Sequence, residues 1–395
     1  MFIKKNIFNF NIKSIFFFIL IILGIFTSVH RGYGDDIDSF ALILTFINLL
    51  ENGVYTPSRY YGYPFAELFY GFSGYYLGSF YSSVFSYFFF ILSIFYLSKI
   101  FLNNLKDNEL ILLILICISN PVLFFDNTNP SDSPLSLFLF SLGTYMFYKN
   151  NKLFASIILG LTVATRPNYA LFIILIYLLE IIKTRKVNYL LIKSFIIFSC
   201  VCLFFYFPIL LKNDFNLNFI SNPGGPELNF ESLFYRFIYK IYLSLGVYSS
   251  IIIFIFLCFR YKKLYDLVVK NYLLFLIIIF NFITFYFMPT KTSIISLSII
   301  LIYIFLLKLT IKKNIIYIIL FLNFFSYLVT YQFLDIKYKY EDKCAPIEAI
   351  DAKFKFKMNY GYFFIRTSKI RSKIECDSRF FNEKSTKYLK GESLK

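Results

Sequence analysis

The sequence contains no tryptophan and a single histidine, His30, among its 395 residues. One histidine excludes a Ser-His-Asp triad and every metal site that needs several imidazole ligands. The six cysteines form no Cys-x-x-Cys pair, which excludes the common structural zinc sites. The glycine pair at 224–225 follows no strand pattern and precedes no lysine with a serine or threonine, so it is not a nucleotide-binding phosphate loop. These absences remove several classes of soluble enzyme.

Apolar residues dominate the chain: 58% of it is hydrophobic, 23% is aromatic and its mean hydropathy is +0.65. A soluble domain of this length does not bury so much isoleucine, leucine and phenylalanine, and apolar runs recur along the whole sequence. Because a membrane helix needs roughly 20 apolar residues, the runs predict an all-α polytopic membrane protein with about eleven transmembrane helices. The predicted spans lie near 14–29, 80–98, 110–126, 134–148, 153–165, 167–182, 190–211, 244–259, 271–287, 293–307 and 314–334.

The chain carries 40 lysines and arginines against 23 acidic residues, a net charge of +17. These bases fall between the apolar runs, so we interpret them as topology signals and not as a nucleic-acid surface. With a cytoplasmic N-terminus, eighteen bases fall in inside segments and seven in outside loops before the tail. The positive-inside rule therefore predicts a multi-pass inner (plasma) membrane protein whose functional loops face outward. Residues 1–334 form the predicted transmembrane module, and residues 335–395 a small tail outside.

The first outer loop, residues 31–79, opens with three aspartates: Asp35, Asp36 and Asp38. The apolar segment after them is capped by Asp38 or Ser39 and ends before a glycine, which predicts a helix too short to span that lies along the membrane surface. One aspartate would act as a general base, or a pair would bind a divalent metal. The alternative is a helix cap beside a solvated acidic turn.

The same loop continues with an arginine among aromatic residues, Val-Tyr-Thr-Pro-Ser-Arg-Tyr-Tyr-Gly-Tyr-Pro, in which Arg59 precedes Tyr60 and Tyr61. A guanidinium group near the bilayer surface suits a phosphate, and rings such as that of Tyr61 stack on a sugar or flank a lipid. The alternative is an aromatic belt with an arginine that extends toward water.

An acidic pair after the first span, a surface helix and then the Arg59 to Pro64 motif resemble the GT-C superfamily of membrane glycosyltransferases. This superfamily includes the protein mannosyltransferase and aminoarabinose transferase types, which use polyprenyl-phosphate-linked sugars. The resemblance covers residues 31–74 best, extends weakly to Arg166-Pro167 and includes a late outer Pro-Thr-Lys sequence that ends at Lys291. The other spans match only in number and orientation.

The resemblance implies a GT-C-like fold and an inverting transfer of a sugar from a polyprenyl-phosphate carrier to a lipid, glycan or protein acceptor at the outer face. Asp35 or Asp36 would take the proton of the acceptor hydroxyl. Some members also hold a divalent cation, Mg²⁺ or Mn²⁺, at the acidic site, which here would be these two aspartates. The substrate-binding residues implied are Arg59, Tyr61, Arg166, Lys291 and Asp38.

Arg166 is the only charge in a tight outer turn, and an arginine at that depth needs an anionic partner. A lipid phosphate is one such partner, and Asp126 or Asp132 of the neighbouring outer loop is the other. Lys291 has the same two alternatives. For the loop 126–134 itself, the sequence predicts a solvated turn.

Two further outer segments carry weaker predictions. The Gly-rich loop at 212–243 is interpreted as a lid or acceptor-binding loop. In the tail, the alternation at Lys353–Lys357 predicts a strand that pairs with residues 360–365. Cys344 and Cys376 would close this unit with a disulfide if the outside is oxidising, an alternative that the sequence leaves open. Disorder is predicted from about residue 382.

Two other function classes compete with the glycosyltransferase. A polysaccharide polymerase or ligase also has many spans and outer loops, but would use outer-loop arginines and a histidine rather than an early acidic pair. A flippase or transporter would show internal repeats and charges within spans. The sequence shows neither, apart from Glu180 near a span end.

Overall fold

A computed structural model describes residues 12–31, 33, 37–59, 62–102, 106–186, 188–215, 230–287, 291–309, 314–342 and 345–360. This part of the chain forms α-helices followed by a β-hairpin. The helices are α1 Ile12–Arg31, α2 Ile37–Asn52, α3 Pro64–Phe72, α4 Gly78–Phe101, α5 Asp107–Ser119, α6 Pro121–Thr128, α7 Asp132–Tyr148, α8 Lys152–Thr165, α9 Tyr169–Thr184, α10 Tyr189–Lys212, α11 Phe230–Leu245, α12 Ser249–Phe259, α13 Tyr261–Lys270, α14 Tyr272–Phe287, α15 Ser296–Leu309 and α16 Asn314–Leu328. A π-helical turn, Ser73–Leu77, joins α3 to α4, and a 3₁₀ turn, Thr292–Ile295, precedes α15.

The predicted apolar segments are helical, but the predicted number of spans is wrong. Among the described residues, three helices are long and apolar enough to cross a membrane: Pro64–Phe101, Tyr189–Lys212 and Thr292–Leu309. Two bent helix pairs raise the number to five if each pair is one span. The reason is length, because the 14 residues of α8 extend about 21 Å at ~1.5 Å per residue, against a hydrocarbon core of about 30 Å.

Both bends occur where the sequence interrupts a helix. The axes of α5 and α6 differ by 87°, and the break lies at Asn120 and Pro121. Asn120 caps α6 by accepting a hydrogen bond from the Leu123 amide at 3.0 Å, and proline suits the first helical position because it has no N–H to satisfy. The axes of α11 and α12 differ by 91° at a break that contains Gly246, whose φ is +95°. That conformation favours glycine.

The two breaks meet at a buried polar node. The Asn120 amide donates to the Ser244 carbonyl at 2.7 Å and to the Tyr303 hydroxyl at 2.9 Å, while that hydroxyl donates to the Leu245 carbonyl at 3.1 Å. Asn323 on α16 accepts a hydrogen bond from Ser249 at the start of α12. Each broken helix exposes backbone groups, and in an apolar interior these groups need partners from the protein itself. The node supplies them.

Small residues bring the central helices α4, α7, α8 and α10 together. A Cβ atom at Gly143 would overlap the Leu159 side chain, and one at Gly160 would overlap the Val201 side chain. On α4, Ser86 is fully buried and forms a hydrogen bond with Tyr70 at 2.9 Å. Close approach of backbones through small residues is the usual basis of helix packing in membranes.

The long connection after α1 contains the predicted helix, α2, which ends before Gly53 with φ +66°. It packs on α3 and the π-helical turn so closely that a Cβ at Gly71 or Gly74 would collide with Phe46 or Ile43. In the second long loop, residues 216–229 lie outside the described part, and most of the remainder belongs to α11. The prediction of a loop over the whole of 212–243 is therefore wrong, because residues from Phe230 continue as an amphipathic helix.

The tail contains the predicted strand. Strand β2, Ala345–Tyr360, pairs in antiparallel fashion with β1, Val329–Asp342, while residues 361–365 of the predicted partner lie outside the described part. The register places Asp335 opposite Lys353 and Lys337 opposite Asp351. The predicted last span, 314–334, ends at Leu328, where β1 begins. Cys344, Cys376 and residues 361–395 lie outside the described part.

We predict that Asn120→Ala lowers the stability of the protein by about 1–3 kcal/mol, because the buried Ser244 carbonyl and the first turn of α6 lose their partners. Thermal unfolding in detergent, followed by circular dichroism, measures the loss. Asn108→Ala at an exposed position of α5 is the matched control and should change little. Equal effects of the two substitutions would show that the node contributes nothing.

Candidate functional site

Four residues predicted for the site are not described in detail. Asp35, Asp36 and Tyr61 lie outside the described residues, and Asp38 is placed only by its backbone, in the first turn of α2. The geometry of the site therefore starts from the bases of the outer loops and from the acidic residues beside them.

Glu67 organises the loop that carries Arg59. Its buried carboxylate, 1% exposed, accepts hydrogen bonds from the Ser58 amide at 2.8 Å, the Ser58 hydroxyl at 2.6 Å and the Tyr63 amide at 3.0 Å. The Tyr55 hydroxyl donates to the same group, and burial together with the Glu67 charge holds the pKa of that phenol well above its ordinary range. The phenol consequently stays a donor. The role of Glu67 was not predicted from the sequence. The available signal was its position in the first turn of α3, a helix that begins with Pro64, because the helix dipole favours an acidic residue there.

Arg59 lies over an aromatic ring and reaches toward a second loop. Its guanidinium carbon is 4.7 Å from the centroid of the Tyr63 ring, and Nη1 donates to the Tyr63 hydroxyl at 3.0 Å. Nη2 lies 3.6 Å from Asp132 Oδ1 at the start of α7. The Arg59 side chain is 20% exposed, so one side of this cation faces the outside of the protein.

Arg166 contacts the same carboxylate from the opposite side. Its Nε is 3.2 Å from Asp132 Oδ2, and Nη1 and Nη2 are 3.4 and 3.5 Å from the carbonyl and hydroxyl oxygens of Ser293. Both side chains are buried, 6% exposed for Arg166 and 4% for Asp132. The sequence left a lipid phosphate, Asp126 and Asp132 open as partners of Arg166. Among the described residues, Asp132 is the acidic residue in contact with it.

The loop 126–134 is buried rather than solvated, which corrects the prediction from its composition. Asn127 is fully buried and donates to the Leu123 carbonyl at 2.8 Å and the Ser296 hydroxyl at 2.9 Å. Ser133 donates to the Asn127 side chain at 3.2 Å. Polar side chains satisfy one another here, so a turn-like composition is compatible with burial. Asp132 also occupies the first turn of α7, where the helix dipole favours its charge.

Lys291 belongs to the same group of loops. It directly precedes the 3₁₀ turn whose Ser293 contacts Arg166, and Thr292 of that turn donates a hydrogen bond to Asp126. The three predicted substrate-binding bases that the structure describes, Arg59, Arg166 and Lys291, thus come from three loops that contact one another. The residues just before Lys291, 288–290, are outside the described part.

The cluster of Arg59, Asp132 and Arg166 carries two positive charges and one negative charge. Guanidinium groups bind phosphate oxygens with good geometry. A divalent cation fits this cluster poorly, because both arginines repel it. Among the described residues, no group of three or more His, Cys, Asp or Glu side chains is arranged to hold a metal ion.

An apolar groove of about 570 Å³ lies between the first outer loop and α10. Leu49, Tyr55, Pro64 and Leu68 form one wall. The opposite wall consists of α10 residues that include Cys200, Leu203 and Phe204. Pro64 directly follows Tyr63, whose hydroxyl accepts a hydrogen bond from Arg59. The groove and the loop that carries Arg59 are therefore neighbours in the chain, although Arg59 itself does not line the groove.

We predict that Asp132→Asn destabilises the protein by about 3–5 kcal/mol, because Arg166 is left buried without its counter-charge. The double variant Asp132→Asn/Arg166→Gln should lose less than Asp132→Asn alone. Thermal unfolding in detergent measures both, and Asp214→Asn at an exposed position is the control. The single variant Arg166→Gln completes the comparison. A double variant whose loss of stability equals the sum of the losses of the two single variants would contradict the coupling between Asp132 and Arg166.

Comparisons with protein-family models, with curated proteins and with solved structures found no match to this chain. The resemblance to membrane glycosyltransferases consequently rests on the quoted residues of the outer loops. What the described geometry adds is a set of outer-loop bases gathered around one buried carboxylate, next to an apolar groove.

Proposed function

We propose that this protein is a multi-pass inner-membrane glycosyltransferase that moves a sugar from a polyprenyl-phosphate carrier to a lipid, glycan or protein acceptor at the outer face. The observation that carries the proposal is an apolar groove lined by Pro64, the residue that directly follows the Arg59 contact Tyr63. A polyprenyl-phosphate-sugar joins a long hydrocarbon chain to an anionic phosphate, which suits an apolar groove with a cation in the neighbouring loop. Helices long and apolar enough to cross a membrane support the location.

The phosphate of the carrier would bind to Arg59. This arginine is the more exposed of the two that contact Asp132, and Asp132 and the Tyr63 ring fix its direction. Arg166 is too buried for direct contact and would act by holding Asp132. Lys291, at the edge of the same loops and partly exposed, would add a second charge to the phosphate. Tyr61 would stack on the sugar.

The chemical step needs a base for the acceptor hydroxyl. Asp35 or Asp36 would take the hydroxyl proton as the acceptor oxygen forms its bond to the anomeric carbon. The bond from that carbon to the phosphate oxygen breaks, and the phosphate leaves with the electron pair toward Arg59 and Lys291. Attack from the face opposite the phosphate inverts the configuration. Asp38 would position the acidic turn from the start of α2.

We predict that Asp35→Asn or Asp36→Asn lowers the transfer rate at least about 100-fold, since a positioned base contributes roughly 10²–10⁴-fold. The assay uses reconstituted protein, a polyprenyl-phosphate sugar with a radiolabelled sugar, and an acceptor lipid. Asp214→Asn is the control for a remote carboxylate. Wild-type transfer rates in both variants would refute the assignment of the base to this acidic pair.

We also predict that Cys200→Trp raises the KM for a long-chain carrier while leaving the KM for a short-chain analogue unchanged. The exposed thiol lines the groove, and an indole there fills space that a hydrocarbon chain needs. Ile196→Trp, on an exposed part of α10 that does not line the groove, is the matched control. Equal KM changes for the long-chain and short-chain carriers would contradict binding of the hydrocarbon chain in the groove.

A flippase for a lipid-linked sugar is the second candidate, and the two broken helix pairs favour it. Helices interrupted near the centre of a bundle are common where transporters bind their substrates. Vesicles loaded with labelled carrier distinguish the two functions. Movement of the carrier across the bilayer without sugar transfer would support the flippase, and transfer without movement supports the glycosyltransferase.

A further inference from the structure

The short helix α13, Tyr261–Lys270, presents two different faces to its surroundings. Leu264 and Leu267 pack against the hydrophobic core of the protein. Tyr261, Tyr265 and Val269 are 62%, 69% and 57% exposed. Residues four positions apart lie on the same side of a helix, so these three side chains form one exposed apolar stripe. This helix lies between the predicted spans 244–259 and 271–287, in a segment for which the sequence predicted no helix.

The stripe continues an apolar surface on both sides. Phe259 at the end of α12 is 83% exposed, and Tyr272 at the start of α14 is 46% exposed. Further along α12, Phe254 is 70% exposed. These helices consist almost entirely of apolar residues. The stripe of α13 therefore joins the surface that apolar helices present to lipid chains.

Basic residues border the stripe. Lys262 and Lys263 are exposed, and Arg260 immediately precedes the helix. The Lys262 amine lies 6.0 Å from the centroid of the Tyr261 ring, so the charge stands beside the apolar stripe. The sequence of α13 contains one acidic residue, Asp266. An apolar stripe with lysines at its edge is typical of helices that lie in a membrane surface, where anionic headgroups attract the bases.

We propose that α13 lies in the plane of the membrane surface and binds the headgroups of anionic phospholipids through Arg260, Lys262 and Lys263. A protein partner is the less favoured occupant, because three side chains cover far less than the roughly 800 Å² per partner of a stable interface. The lipid site is independent of the proposed sugar transfer, and it holds whichever reaction the outer loops carry out.

The absence of tryptophan from the chain allows a direct test. Tyr265→Trp introduces a single fluorophore at an exposed position of the stripe. The full-length variant is reconstituted in vesicles with equal amounts of phosphatidylglycerol and phosphatidylcholine, one of them brominated on the acyl chain just below the headgroup. We expect bromine on the anionic lipid to quench at least about twice as strongly as bromine on the zwitterionic lipid. The difference should shrink in high salt, which screens exposed charges.

Two further variants complete the experiment. Lys262→Gln/Lys263→Gln in the Tyr265→Trp background should quench equally with both brominated lipids. Ile196→Trp, at a 55% exposed position of α10 outside the groove, reports insertion of the protein and should show no preference. Quenching of Ile196→Trp but not of Tyr265→Trp would overturn the surface location and favour a protein partner. Equal quenching of Tyr265→Trp by both lipids, or a preference that survives the loss of both lysines, would overturn the proposed headgroup site.

Discussion

The buried carboxylate of Asp132 is the contact on which the outer-loop site depends. A charge that is 4% exposed in an apolar protein requires a partner, and Asp132 has one arginine on each side. Arg59 comes from the first outer loop and Arg166 from the turn after α8, so a single carboxylate fixes two loops that are far apart in sequence. Through Arg166 and Ser293 the constraint extends to the loop before α15. The loop with Arg59, the turn with Arg166 and the loop before α15 are therefore all linked to Asp132, either directly or through Arg166.

The same rule, that polar groups buried among apolar helices need partners from the protein, explains the broken helices. At Asn120 and near Ser244 the helices bend by about a right angle and expose backbone groups. The side chains of Asn120 and Tyr303 bond to these groups at the polar node, and Asn323 donates to the Tyr303 hydroxyl. Because α6 leads directly into the loop before Asp132, the node also sets where α7 begins. The polar node and the cluster of Arg59, Asp132 and Arg166 are therefore linked through α6.

Sequence reasoning succeeded where a local pattern determines the structure. Apolar runs identified the helices, and Gly53 marked the end of α2. It failed where the structure depends on contacts between distant segments. Neither the burial of the loop around Asn127 nor the role of Glu67 can be obtained from turn-rich composition, because both depend on partners elsewhere in the chain. The number of spans failed for a different reason, since several apolar helices are too short to cross the hydrocarbon core and two others are bent pairs.

Two arginines of different burial contact Asp132. Arg166 is the more deeply buried and forms the shorter contact, 3.2 Å against 3.6 Å for Arg59. The Tyr63 ring and hydroxyl also contact Arg59, and Glu67 orders the loop that carries it. A buried ion pair adds little net stability compared with apolar residues of similar size, so the cluster is not explained by stability alone. The proposed binding of a phosphate at Arg59 gives the partly exposed arginine of the pair a role that the buried one does not need.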